Sequence, residues 1–83
     1  MEWKTPQRMD GGANGFYQEG EDGYCITFSV TNDDRAVFNA SHHKVSIGVC
    51  YVDPRDKEMV REMGRVMRMM CGAHANTKAK GRK

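Results

Sequence analysis

The chain lacks most of the features that announce a chemistry. Its 83 residues hold three cysteines. An odd number builds no disulfide framework, and no apolar leader of the secretory kind precedes them, so a reducing, cytoplasmic setting is the expectation. No apolar run reaches the roughly 20 residues that a membrane span requires, which excludes a helical anchor. No phosphate-binding glycine loop, nucleophile elbow or paired-carboxylate spacing is present, and the acids are scattered over turns and one helix face. Neither an enzyme nor a cofactor site is therefore expected. Asn39, Ala40 and Ser41 spell a glycosylation acceptor, but without a secretory signal it is read as chance.

Charge of a single sign is missing too. The net charge is only +2, and it is concentrated at the end of the chain, where Lys78, Lys80, Arg82 and Lys83 stand with no acid among residues 73–83. The remainder is close to neutral, which argues against a general polyanion surface. One domain of this length buries a little over 60% of its unfolded surface. Its net stability should be about 4 to 12 kcal/mol.

What is present is an amphipathic helix over residues 53–72. Asp53 can cap its start, Pro54 suits the first helical position, and Gly72 suits the left-handed residue that closes it. At 100° per residue, Met59, Val60, Met63, Gly64, Val66, Met67, Met70 and Cys71 fall on one arc of roughly 160°, wide enough to face a core. Lys57, Arg61, Arg65 and Arg68 form a basic stripe on the other side. Beside it Glu58 and Glu62 can pair with Arg61 and Arg65 at a spacing of three, and Met69 is left among the charges. Gly64 costs the helix roughly 0.5 to 1 kcal/mol against alanine, which suggests close approach to the sheet or a partner.

Upstream the period changes to two. Residues 15–18 can form a short strand that reverses through 19–23. Tyr24, Ile26, Phe28 and Val30 then alternate with polar neighbours, as do Ala36, Phe38 and Ala40 more weakly, and Val45, Ile47, Val49 and Tyr51. Ser41, His42 and His43 are read as the last reversal and as exposed turn residues. These elements predict an α+β fold, an antiparallel three- to four-stranded meander packed against one C-terminal helix. Residues 1–14 are an irregular N-terminal segment, 15–72 a single ββ(β)α domain, and 73–83 a basic disordered tail.

Metal-ligand spacing is weak. Cys71 and His74 make half a site that His42, His43, Cys25 and Cys50 would have to complete, but in a meander Cys25 and Cys50 lie on the polar face of strands about 10 Å apart and Cys71 on the covered side of the helix, so no metal is expected. The histidines can contribute a pH-dependent contact. The expected function is a small non-enzymatic protein-binding domain that meets an acidic partner surface through Lys57, Arg61, Arg65, Arg68 and Met69, with Trp3 as a further anchor. Size suits an anti-CRISPR-like phage or mobile-element inhibitor of a host nuclease or defence complex. The alternative is a nucleic-acid-binding protein that adds Lys78, Lys80, Arg82 and Lys83 to the Arg stripe. Edge-to-edge sheet pairing into a homodimer is a third form of association.

Overall fold

The computed structural model describes residues 1–8, 15–31, 33 and 35–80, with side chains as far as Thr77. Five strands, β1 (Gln7–Arg8), β2 (Gly15–Glu19), β3 (Tyr24–Val30), β4 (Ala36–His42) and β5 (Val45–Val52), precede a helix α1 (Lys57–Lys80). The strands form one antiparallel meander in chain order. The α+β architecture is as expected, with five strands instead of three or four. The additional strand, β1, comes from the segment read as irregular, because two residues are too short to show a period. It is fixed by pairing of Gln7 with Tyr17 and Arg8 with Phe16. Just before it, Lys4 donates its N–H to Glu19 O at 2.8 Å, and Gln18 donates through Nε2 to Lys4 O at 2.9 Å.

The period-two segments explain the core. Tyr24, Ile26 and Phe28 of β3 and Ala36, Phe38 and Ala40 of β4 are all buried on one face, where α1 covers them with Met67 and Cys71. Ala36 and Ala40 carry no side chain beyond Cβ, so the helix can come down onto β4, and its packing falls mainly on β4 and β5.

Strand β5 departs from its sequence pattern. Ala40 pairs with Gly48 but Ser41 with Ser46, so Ile47 is an extra residue and the ladder carries a β-bulge. A bulge resets alternation. Ile47, Cys50 and Val52 consequently pack on the helix side, whereas Val49 and Tyr51 pair with Asn39 and Val37 on the face that α1 does not cover. The expectation that Val45, Ile47, Val49 and Tyr51 share the core face is thereby corrected, as is the placement of Cys50 on the polar face. Tyr51 is 67% exposed.

The helix is displaced relative to its sequence signals. Asp56, not Asp53, is its cap, accepting the Met59 N–H on Oδ1 at 3.0 Å. Asp53 and Pro54 instead open a turn in which Asp53 Oδ1 accepts the Arg55 N–H at 3.0 Å and Asp53 O accepts the Asp56 N–H at 3.1 Å. Asp followed by Pro signals a β-turn as well as it signals a helix start. At the other end Gly72 does not stop the helix, which continues to Lys80. Residues 73–80, expected to lie in a basic tail beyond the helix, thus belong to α1, and 81–83 lie outside the described residues. Ala75 packs against the core there, and the Thr77 hydroxyl donates to Ala73 O at 3.0 Å.

Candidate functional site

The expected binding residues are spread over two regions. Lys57, Arg61 and Arg65 are exposed on α1, Arg68 is half-buried, and Met69 is 61% exposed. Arg65 donates to Glu62 at 2.8 Å and holds its other guanidinium nitrogen 4.0 Å from Met69 Sδ. The Glu62–Arg65 pair therefore forms as expected, while Lys57, Arg61 and Arg68 make no ion pair among the described residues. Trp3 sits away from this stripe, bridged to Gly20 and half-buried against the core. Lys78 and Lys80 continue the α1 backbone, and Arg82 and Lys83 lie outside the described residues.

Beside the stripe the structure exposes an apolar border that the periodicity conceals. Met70 lies over Gly48, so this flank of α1 overhangs β5, the last strand of the sheet. Among the described residues no sixth strand pairs with β5. Met59 and Val66, expected in the core, are exposed, as are Met69 on α1 and Val49 and Tyr51 on β5. Tyr51 and Met59 meet at one hollow, whose rim carries Asp53, Arg55, Asp33 and Arg35.

A second grouping sits at the opposite end of the sheet and joins residues far apart in the chain. His42 is buried as the last residue of β4 and is no exposed turn residue; the reversal is made by His43 and Lys44, both left-handed at φ 50° and 69°. The His42 ring stacks on Tyr24 at 4.1 Å, and the His43 ring lies tilted against it at 4.2 Å. From α1, His74 comes edge-on to His42 at 5.5 Å and its Nδ1 is hydrogen-bonded to the Tyr24 hydroxyl at 2.7 Å. Asp22, from the turn between β2 and β3, brings Oδ2 to 3.9 Å from His42 Nε2. Burial first, then the Asp22 and Cys71 charges, push the Tyr24 hydroxyl above its ordinary pKa, which keeps it protonated.

Sequence reasoning missed this cluster because His42 and His43 are adjacent and look alike, while the period of β4 assigns the even-numbered residue inward. The signal lay in Ala36, Phe38 and Ala40, whose alternation continues to His42. The expected half-site of Cys71 and His74 resolves differently: Cys71 is fully buried in the core and His74 turns to Tyr24. No protein family, curated protein or solved structure matches the chain.

Proposed function

We propose that this chain is a non-enzymatic protein-binding domain whose contact surface is the outer face of α1 together with the adjoining edge of β5. The observation that supports this most is the set of exposed apolar side chains Val49 and Tyr51 on β5 and Met59, Val66 and Met69 on α1, of which Tyr51 and Met59 line one hollow. Their desolvation by a partner would supply affinity, and methionines adapt to its shape. Basic residues without intramolecular ion pairs among the described residues, Lys57 and Arg61 foremost, border the patch and favour a partner with an acidic rim. A stoichiometric inhibitor or adaptor, including one directed at a nuclease or defence complex, is the form of activity such a surface suits.

The test is affinity capture from a host lysate with nuclease treatment and a salt series, run on the natural chain and on two variants, Tyr51→Glu/Met69→Glu and Arg61→Ala/Arg65→Ala. The expected result is one protein, held in stoichiometric amount through nuclease and moderate salt, and lost from the first variant and weakened in the second while their circular dichroism is unchanged. Recovery of nucleic acid alone, falling as salt rises, would overturn the reading in favour of phosphate contacts by the stripe and the lysines that follow it. Equal capture by all three chains would also overturn it.

A further inference from the structure

The turn between β2 and β3 and the turn between β4 and β5 lie side by side, joined by the His43 N–H donating to Gly23 O at 2.9 Å. Their side chains converge as well. One ligand atom each from Asp22, His42 and His43 lie within 4.8 Å of one another. We propose that these three residues form a binding site for a borderline divalent cation of the zinc type, which would staple the two turns together. This inference does not rest on the proposed protein-binding surface.

Three observations carry it. The donor set is two imidazoles and one carboxylate, which suits zinc and its neighbours in the transition series and suits calcium or magnesium poorly. Donors around a tetrahedral ion with bonds of about 2.0 to 2.1 Å stand about 3.3 Å apart. Asp22 and His43 are both exposed, and rotation about their side-chain bonds can close the remaining distance. The second observation is that His42 is already held in place: its ring is stacked on Tyr24, with the His43 ring tilted against it and His74 edge-on and itself tied to the Tyr24 hydroxyl. An oriented ligand with a supporting shell is what a metal site requires beyond its donors.

The third observation is the backbone. Asp22 and His43 have positive φ, 54° and 50°, a conformation uncommon outside glycine, and with Lys44 they are the non-glycine residues in that region among those described. All three lie at this end of the molecule. The His43 ring occupies the space where a Cβ on Gly23 would stand, so the glycine, at φ 80°, makes room for the imidazole. Two turns are thus held in unfavourable backbone geometry in the arrangement that presents Asp22 and His43 to His42.

The experiment uses the full chain purified without a polyhistidine tag and stripped with a chelator, titrated with zinc against a chromophoric competitor. One zinc per chain is expected, with a micromolar or tighter Kd and a melting temperature that rises with zinc concentration. Asp22→Asn and His43→Asn remove a ligand while keeping a residue type that tolerates positive φ, so both variants should fold and each should weaken zinc at least tenfold. Cobalt substitution should give visible absorption without a thiolate-to-metal charge-transfer band. Failure to reach one equivalent, unchanged affinity in both variants, or a thiolate band assigning the ion to a cysteine would each overturn the proposal.

Discussion

Gly72 lies inside α1, and a Cβ built on it would meet nothing within 4 Å. A glycine that closed the helix in a left-handed conformation would resist substitution, because any side chain there is strained. A glycine inside the helix does the reverse. Gly72→Ala should therefore stabilise the domain by about 0.5 to 1 kcal/mol, read as an upward shift of the denaturation midpoint; a lower midpoint would return Gly72 to the role of helix stop. Gly64 differs only in degree, since its added Cβ would meet Arg68 Nη1 at 3.6 Å and the Phe38 ring at 3.9 Å, ordinary contact distances. The close approach expected there is not required by the packing. At Gly48 it is, because Met70 Sδ fills the space over that residue.

Among the elements, α1 and β5 decide what the molecule presents to its surroundings. The helix depends on its cap: Asp56→Ala should cost about 0.5 to 2 kcal/mol by urea denaturation, because the Met59 N–H loses its acceptor. Asp53→Ala should shift the midpoint less. Its carboxylate is held below its ordinary pKa by the Arg55 backbone N–H and then by the Arg55 side chain, but it serves an exposed turn outside the helix. Equal effects of the two substitutions would contradict the assignment of the cap. Strand β5 matters through its bulge. One extra residue at Ile47 keeps Cys50 and Val52 on the core and turns Tyr51 outward, so a single position of register converts a core aromatic into a surface one.

For the molecule as a whole, the helix is longer than the sheet it covers. Its 24 residues span about 36 Å at helical rise. The eight residues of β5 span about 26 Å. The molecule extends over 46 × 24 × 20 Å. Weakly acidic groups in the core, Tyr24 and Cys71, and the half-buried Cys25 are held toward their neutral form. Burial raises the pKa of Cys71 and Cys25, with smaller contributions from Cys25 and Glu19 respectively, and raises that of Tyr24. Folded values above the unfolded ones mean that the folded state holds its protons more tightly. This stability is fully present below the unfolded values, about 8.5 for cysteine and 10 for tyrosine, and is lost as pH rises through the folded ones. Melting temperature should accordingly hold from neutrality to about pH 8.5 and fall above it. Tyr24→Phe should remove the upper part of the fall. A flat profile to about pH 11, beyond the ordinary tyrosine value, would contradict the burial of these groups.

Local chemistry in the sequence determined the element types, their order, the inward faces of β3 and β4, and the methionine face of the helix centred on Met63 and Met67. Each of these follows from a period that side-chain burial imposes on consecutive residues. It also placed Lys57, Arg61, Arg65 and Met69 on the outer side of α1. Signals that one residue pair can satisfy in two ways were decided only by tertiary structure. Asp53 with Pro54 starts a turn here because Asp56 is free to cap the helix, and Gly72 is carried through because His74 and Ala75 find partners on the sheet. The β5 bulge, the pairing of β1, and the meeting of Asp22, His42, His43 and His74 have no local signature at all. They arise from contacts between segments up to 50 residues apart, as Tyr24 and His74 are, which chain order alone does not encode. The apolar edge and the proposed metal site both come from that second group.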